Sequence, residues 1–338
     1  MFEKLNKTFI IAEIGNNHEG DFATAKKMIL EAKKSGADAI KFQTIIPELY
    51  IIKKDKKRIN QLKKFQFSFD QFKKLSDYAK KIKILFLSTP FDVNSAIFLN
   101  KIQSFFKISS GDNNYFQLIK KISSFNKSII LSTGLADIDL ISKTKKIILK
   151  EWKKKPKIKK KLVLMHCVSS YPVDPQDANL SAIKSLKETF KDCTIGYSDH
   201  TIGILAPSIS VIYGAKVIEK HFTLNKNQSS FRDHKLSADP NEMKQLVKNI
   251  RNIEMMIGDG EKKIEKGERD SIKFMRRSAI ASKNINKGEQ LSNNNIKWLR
   301  SKDGIKIDLI DKILKNKAST NIKRDTIIKN KNLITKIK

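Results

Sequence analysis

The chain has 338 residues, with 68 Lys and Arg against 35 Asp and Glu and a formal net charge of +33 at pH 7. Its length predicts one large domain and a small one, while the basic residues, mostly dispersed lysines, indicate a solvated surface rather than a nucleic-acid-binding stripe. The two cysteines, Cys167 and Cys193, exclude a disulfide framework and indicate a reducing compartment.

The amino-terminal segment, Met1 to Lys7, carries charges directly before an apolar run and offers no cleavable hydrophobic stretch. No apolar run approaches the roughly 18 residues that a membrane-spanning helix needs. We therefore expect a soluble, cytoplasmic protein that binds neither a membrane nor nucleic acid.

Strand-like runs alternate with amphipathic helix-like runs over the first three quarters of the chain. The predicted strands are Phe9 to Ile14, Ala39 to Phe42, Ile84 to Ser88, Phe105 to Ile108, Ser128 to Ser132, Leu162 to His166, Thr194 to Tyr197 and Val217 to Phe222. The predicted helices are Asp21 to Ser35, Ser68 to Lys81, Asn94 to Ile102, Tyr115 to Ser124, Asp137 to Lys150, Leu180 to Thr189, Ile204 to Tyr213 and Asn241 to Ile257. This alternation predicts an α/β protein with a closed parallel (β/α)8 TIM barrel, and an open doubly wound sheet is the alternative.

The pattern changes after Gly258, where a charged stretch with several glycines indicates a linker. Beyond it come short pieces, such as Ser278 to Ala281, the turn Asn286 to Glu289, and Ile296 to Leu299. We predict a catalytic barrel over residues 1–258, a linker over 259–274 and a small domain over 275–338.

Polar side chains stand at the predicted ends of several strands, where a parallel barrel places its catalytic groups. Lys41 and Gln43 are two residues apart on one strand, so both project to the same face. Lys41 and Lys107, with the hydroxyls of Ser110, Ser132 and Ser198 at other strand ends, would form a site of cations and hydroxyls. Such a site suits a phosphate or a carboxylate.

His200 and His221 each end one of two consecutive strands, which are adjacent in a barrel. Two imidazoles leave open positions for substrate and water on manganese or a comparable first-row metal ion. A pair of hydrogen-bonded histidines without a metal is the alternative. Asp199 or Glu219 could orient the rings. Of the other histidines, His18 and His234 could contact substrate, and His166 suits a buried core position.

The chain resembles the sialic acid synthase family in a series of short motifs that occur in the same order over residues 8–260. They are Ala12 to Gly20, Lys41-Phe42-Gln43, Ser88 to Phe91, Lys107 to Gly111, Leu131 to Gly134, His166-Cys167, Tyr171-Pro172, Ser198 to Thr201 and His221-Phe222-Thr223. The tail, with Arg277-Ser278, Lys287-Gly288-Glu289 and Trp298-Leu299-Arg300, is similar to the small antifreeze-like (SAF) domain of that family.

The resemblance implies a transferase that condenses phosphoenolpyruvate with an open-chain N-acetylated amino sugar to a nine-carbon 2-keto acid and phosphate. It implies a divalent metal, most simply Mn²⁺ with Mg²⁺ or Co²⁺ as alternatives, held by His200 and His221. It also implies a domain-swapped homodimer, in which Arg300 of one small domain reaches the N-acetyl group in the other subunit.

The same resemblance assigns roles to further residues. The residues that would bind phosphoenolpyruvate are Lys41, Thr89, Lys107, Ser110, Ser132 and Ser198. Glu13 would act on the sugar or the attacking water, and Gln43, Tyr171 and Asp233 would bind sugar hydroxyls beside Phe91.

Three positions depart from the family pattern. Asp112 stands where some members have a catalytic glutamate, one methylene longer, so proton transfer there needs a closer approach. Ser169 replaces an asparagine and changes a contact to a sugar hydroxyl. Phe231 and Arg232 replace a Gly-Pro pair before Asp233, which makes sugar choice the least determined property.

Three alternatives to the neuraminate or legionaminate type stay open. A pseudaminate-type synthase differs only in the sugar, although the sequence Asp233-His234-Lys235 is closer to the neuraminate branch. A synthase that uses a phosphorylated aldose would keep the barrel but lacks the SAF-like tail. A basic protein that binds polysaccharide or nucleic acid on an inactive barrel would explain the charge and leave the strand-end residues unexplained.

Overall fold

The computed structural model describes residues 6–156 and 159–337. Most of the Met1 to Lys7 segment lies outside the described residues. The chain divides into two compact units, Met1–Gly258 and Asp259–Lys338. Within the described ranges, no helix is both long and apolar enough to span a membrane.

The first unit is built on one sheet of eight parallel strands. They are β1 Phe9–Gly15, β2 Ala39–Thr44, β3 Leu85–Pro90, β4 Phe105–Ile108, β5 Ser128–Ser132, β6 Leu162–Cys167, β7 Thr194–Asp199 and β8 Val217–His221. The order is β3-β2-β1-β8-β7-β6-β5-β4, and β3 and β4 contact each other at the remaining seam. Because each strand neighbours the next in sequence and β1 pairs with β8, this is the predicted (β/α)8 barrel. The open doubly wound alternative is wrong.

Eleven helices accompany these strands among the described residues of the first unit. They are α1 Phe22–Lys34, α2 Pro47–Tyr50, α3 Lys56–Phe65, α4 Phe69–Lys81, α5 Val93–Leu99, α6 Phe116–Ser124, α7 Ile138–Lys153, α8 Ala182–Thr189, α9 Leu205–Ser210, α10 Asp233–Leu236 and α11 Pro240–Ile257. Three of them, α2, α3 and α10, were not predicted. The four-residue helices are too short for a periodic signal, and α3 buries only Ile59 and Leu62.

The core of the barrel unit has two layers, because successive side chains of a strand point to opposite faces. Ile11, Leu87, Phe105, Ile130 and Met165 belong to a buried cluster inside the barrel. Alternate residues of the same strands join a larger cluster between the sheet and the helices. Apolar side chains thus fill the interior, and the polar residues are left to its carboxyl end.

The second unit contains little regular structure in its described part. The strands β9 Arg277–Ala281 and β10 Ile296–Arg300 pair antiparallel, and the helices are α12 Arg269–Met275 and α13 Ile310–Leu314. Its own buried cluster includes Ala279, Ile285, Leu291, Ile313 and Ile328. Helix α12 lies largely within residues 259–274, which the sequence pattern assigned to a linker.

Candidate active site

The carboxyl ends of the barrel strands surround a cavity of about 370 Å³. The expected residues that line it are Glu13, Lys41, Gln43, Thr89, Phe91, Lys107, Ser110, Ser132, Ser169, Tyr171, Ser198, His200, His221 and Asp233. These residues come from eight different strands or the loops that follow them, so the barrel closure alone brings them together.

Two lysines and two carboxylates form a buried charge cluster on one wall of the cavity. Lys41 Nζ lies 2.9 Å from Glu13 Oε2 and 3.6 Å from Glu219 Oε1. Lys107 Nζ lies 3.3 Å from the same oxygen of Glu219, which also accepts a hydrogen bond from Ser198 Oγ at 2.9 Å. Lys41 also donates to Thr89 Oγ1 at 3.2 Å. Each buried charge therefore has an opposite charge beside it, as burial requires.

The two carboxylates of this cluster have opposite pKa shifts. Burial raises the pKa of Glu13, and the nearby Lys41 offsets this only in part. Burial acts on Glu219 in the same direction, but Lys107 and Lys41 together hold the pKa of that carboxyl below its ordinary value. Glu219 therefore stays ionised between the two ammonium groups, whereas Glu13 can carry a proton.

Three hydroxyls that line the same cavity as the lysines are buried without a hydrogen-bond partner among the described residues: those of Ser110, Ser132 and Ser169. Gly134 lies against two of them. A Cβ added there would stand 2.5 Å from Ser169 Oγ and 2.7 Å from Ser110 Oγ. These unpaired donors beside two cations fit an anionic ligand with several oxygen atoms, because such a ligand supplies the missing acceptors.

His200 and His221 both line the cavity and are buried, with ring centroids 5.4 Å apart and the rings tilted against each other. His200 Nδ1 lies 2.8 Å from the carbonyl oxygen of Val168. Since a carbonyl only accepts, Nδ1 carries a proton, and in its neutral form the ring presents the lone pair of Nε2. His221 Nδ1 is buried without a partner, and burial, with His200 and Lys41, holds the pKa of His221 well below its usual range.

This arrangement fits a divalent metal ion with two protein ligands. His221 is held in its neutral form, which is the form that binds a metal ion. Its buried Nδ1 has no hydrogen-bond partner among the described residues, as expected for an imidazole in a metal site. Burial alone would lower the pKa of His200, but the Cys167 thiol and the Val168 carbonyl raise it above its ordinary value. A metal ion at Nε2 would compete with the proton that this raised pKa favours there. Within the described ranges, no group of three or more His, Cys, Asp and Glu residues could hold a metal, so other ligands would come from substrate and water.

Neither carboxylate that we expected to hold an imidazole makes a hydrogen bond to one. Asp199 Oδ1 accepts hydrogen bonds from Tyr197 and Thr201, and Glu219 belongs to the lysine cluster. The Nδ1 of His200 instead contacts the Val168 carbonyl, and its ring packs at a tilt against Tyr171, with centroids 4.1 Å apart.

The same cavity carries the polar and aromatic groups expected to bind a sugar. Gln43 Nε2 donates to Glu13 Oε1 at 3.2 Å, and its oxygen accepts from Asn16 Nδ2 at 2.9 Å. Phe91 packs edge-on against Tyr50, with centroids 5.0 Å apart. Asp233 pairs with Arg232, whose guanidinium lies 4.6 Å from the Tyr171 ring.

Two expected site residues do not line this cavity. Asp112 lies beside it and accepts a hydrogen bond from Ser109 Oγ at 2.7 Å, and burial raises the pKa of its carboxyl. The carboxylate of Asp112 therefore makes a hydrogen bond within its own turn. Arg300 ends β10 in the second unit.

The other three histidines have structural contacts. His18 Nδ1 accepts from the backbone of Gly20 and its ring stacks on Phe67, with burial lowering the pKa of His18 to about 3. His234 lies between Thr223 and Glu19. His166 bonds the carbonyl of Ala178, as suits a core histidine.

Sequence reasoning missed several residues of the cavity wall: Asn16, Tyr50, Arg58, Cys167 and Arg232. Glu219 was singled out for the wrong role. Glu219 and His221 are two residues apart on β8, and residues two apart on a strand share a face. This spacing was the sequence signal that Glu219 lies at the cavity. Tyr50 lies on the unpredicted helix α2 and Arg58 on the unpredicted helix α3, so no strand-end signal could have identified them.

Comparison with known proteins gives matches over nearly the whole chain. Residues 28–262 match the NeuB family and residues 276–334 match the SAF domain. The N,N'-diacetyllegionaminic acid synthase of Campylobacter jejuni is 42% identical over 96% of this chain and 100% of its own length. A pseudaminic acid synthase of the same species is 37% identical over 95% of each chain. The crystal structure of N-acetylneuraminic acid synthetase from Leptospira borgpetersenii, 37% identical, has a TM-score of 0.73 over 79% of this chain and 90% of that one.

Proposed function

The chain belongs to the NeuB family and carries a SAF domain, and on that premise we propose that it is a nonulosonic acid synthase that condenses phosphoenolpyruvate with an open-chain N-acetylated amino sugar. The products would be a nine-carbon 2-keto acid and inorganic phosphate. N-Acetylmannosamine or its diacetylated 6-deoxy relative would be the sugar.

One observation carries this proposal: a buried pair of lysines with unpartnered hydroxyls shares a cavity with two neighbouring imidazoles. Lys41 and Lys107 would bind the phosphate and carboxylate of phosphoenolpyruvate, with donors from Thr89, Ser110, Ser132 and Ser198. The site needs several positive charges, because a buried polyanion is stable only when it is paired.

The overall reaction forms a C–C bond and breaks a C–O bond. C3 of the enol phosphate attacks the sugar aldehyde, and water adds at C2. The C2–O bond to phosphate then breaks as the C2 carbonyl forms. The water molecule loses two protons in all, one of which is taken up by the aldehyde oxygen while the other leaves with the phosphate. Glu13 would hold the transferable proton at its carboxyl, because it lines the cavity and burial raises its pKa toward neutrality.

His200 and His221 would hold a divalent metal ion, with Mn²⁺ the first candidate. Such an ion polarises a carbonyl oxygen and lowers the pKa of a bound water molecule. The residues around it orient the substrates: Tyr171 packs on His200, while Gln43 and Asp233 would bind sugar hydroxyls and Phe91 would exclude water.

Arg300 would bind the N-acetyl group from the small domain of a partner subunit, which makes the active form a domain-swapped homodimer. This part of the proposal rests on the match of residues 276–334 to the SAF domain. The same match argues against a synthase for phosphorylated aldoses, because that class of synthase is expected to lack a SAF-like tail.

A pseudaminate-type activity is the second candidate, since a relative of that name is similar over the same length. The test is phosphate release from phosphoenolpyruvate in the presence of Mn²⁺ with N-acetylmannosamine, its diacetylated 6-deoxy relative and the pseudaminate precursor in parallel. We expect one of the first two to be preferred. Preference for the third would establish the second candidate, and no release with any of them would contradict the synthase assignment.

A further inference from the structure

Lys220 lies directly before His221 and contacts the residues on both sides of His200. Its Nζ donates to Asp199 Oδ2 at 2.6 Å and to the carbonyl oxygen of Thr201 at 2.5 Å. Asp199 and Lys220 are also paired in register across β7 and β8. One ammonium group therefore connects the backbone that carries His200 to the backbone that carries His221.

Asp199 completes this connection with its second oxygen. Its Oδ1 accepts from Tyr197 Oη at 3.0 Å and from the backbone N–H and the hydroxyl of Thr201 at 3.0 and 2.9 Å. The turn that contains His200 is thus fixed by its two neighbours, Asp199 and Thr201. A charged network of this kind defines one geometry, since each group has its hydrogen-bond direction set by several partners.

The pair does not touch the cavity. Ser198 and Glu219 line the cavity, so Asp199 and Lys220, one residue further along each strand, point to the opposite face of the sheet. Both side chains have an exposure of 0%. A buried ion pair is seldom the most stable choice, because apolar residues of similar size are often as stabilising or more so. Geometry rather than stability is the function that this pair can supply.

We propose that Lys220, together with Asp199, is a positioning residue that sets the separation and orientation of the two imidazoles for metal binding. This inference rests on the metal site of the proposed function. Neither residue contacts substrate or metal, and both act through the backbone of the histidines that follow them.

The test uses the full-length protein and Mn²⁺ alone. Calorimetric titration would compare the wild type with Lys220→Met, which keeps side-chain length but removes the charge and the donors. The double variant Asp199→Asn with Lys220→Met removes the buried charge of both partners and keeps the Oδ1 acceptor. Arg251→Met is the matched control, because it breaks contacts to Thr8 and Glu254 elsewhere on the barrel.

We expect both Lys220 variants to bind Mn²⁺ about 10–100-fold more weakly, the loss typical when an outer partner of a metal ligand is removed. Arg251→Met should bind as the wild type does, whatever its melting temperature. The visible spectrum of bound Co²⁺ should change only in the Lys220 variants, since it reports ligand geometry.

A folded double variant with wild-type Mn²⁺ affinity would overturn the inference. Should the Lys220 variants not fold, Tyr197→Phe removes one hydrogen bond to Asp199 without unpairing a buried charge, and wild-type binding by that variant would overturn it equally. An absence of Mn²⁺ binding by the wild type would reject the metal site itself, whereas phosphate release from phosphoenolpyruvate tests the synthase assignment separately.

Discussion

Glu13 and Lys41 are direct partners across β1 and β2, and the ammonium of Lys41 lies 2.9 Å from the carboxylate of Glu13. A cation expected to bind an anionic substrate is thus already paired inside the cavity. In the proposed reaction, binding of phosphoenolpyruvate would redistribute this charge. The raised pKa of Glu13 provides the means, because a protonated Glu13 frees Lys41 for the ligand.

Replacement of Glu13 by Gln should reduce kcat by about 10²–10⁴-fold, the usual contribution of a positioned acid or base. Gln has the same shape and leaves Lys41 with Glu219 as its remaining partner, so the fold should be retained, and below the pKa of Glu13 the KM for phosphoenolpyruvate should be retained as well. Steady-state phosphate release measures both. Asp112→Asn is the matched comparison, since Asp112 contacts Ser109 and does not line the cavity. A loss in Asp112→Asn as large as in Glu13→Gln would assign the proton transfer to both carboxyls.

The affinity for phosphoenolpyruvate should fall as pH rises through the raised pKa of Glu13. Ionisation of Glu13 adds a negative charge beside Lys41 and Glu219, and this charge opposes an anionic ligand. Below that pKa, Glu13 is neutral and the site binds most tightly. The dissociation constant measured against pH should therefore rise more steeply for the wild type than for Glu13→Gln, which cannot ionise. Any titration of the ligand itself affects both proteins equally. Identical pH profiles of the dissociation constant for the two proteins would contradict a role of Glu13 in this pH dependence.

His221→Ala should abolish metal binding and phosphate release while the barrel stays folded. The imidazole removed is a neutral, buried group whose Nδ1 has no hydrogen-bond partner among the described residues, so the substitution unpairs no partner of that nitrogen and costs mainly the packing around the ring. Mn²⁺ titration and circular dichroism measure the two effects. His166→Gln serves as the control, because His166 bonds the Ala178 carbonyl and should not affect the metal. Normal turnover by His221→Ala would show that the two-histidine site is wrong.

Gly134→Ala should weaken phosphoenolpyruvate binding by about 1–3 kcal/mol, the usual cost of an added methyl in a tightly packed site. The new Cβ would lie 2.5 Å from Ser169 Oγ and 2.7 Å from Ser110 Oγ, and would displace hydroxyls that face the ligand. Inhibition by inorganic phosphate measures the same donors without the sugar. Gly111→Ala is the comparison, because its Cβ would meet only Ser109 Oγ, at 4.0 Å. Equal effects of the two variants would count against a crowded anion site.

Arg300→Ala should raise the KM for the sugar and spare phosphoenolpyruvate. Mixed dimers with His221→Ala subunits then test the domain swap. A swapped heterodimer contains one barrel with intact histidines that receives Arg300 from its partner, and the low sugar KM should return in proportion to heterodimer content. If each Arg300 served its own barrel, no site in the mixture would regain it.

The sequence predicted the strands of the barrel well, because most strands begin as a short apolar run and carry a polar residue near the carboxyl end. The residues at those ends, from Glu13 to His221, were identified for the same reason. The partners within the site were harder to predict. Asp199 directly precedes His200, and Glu219 lies two residues before His221. Asp199 nevertheless binds Lys220 outside the cavity, whereas Glu219 binds Lys41 and Lys107 inside it.

The sequence by itself thus determined the barrel, the small second domain and the strand-end side chains at the cavity, since period-two and helical hydrophobic patterns and strand-end positions are local properties. Only the tertiary structure decided which of those side chains meet. Pairings such as Lys41 with Glu13 and Lys220 with Asp199 depend on strand register and on which face of each strand is inward, and register is fixed by contacts between strands that are distant in the chain.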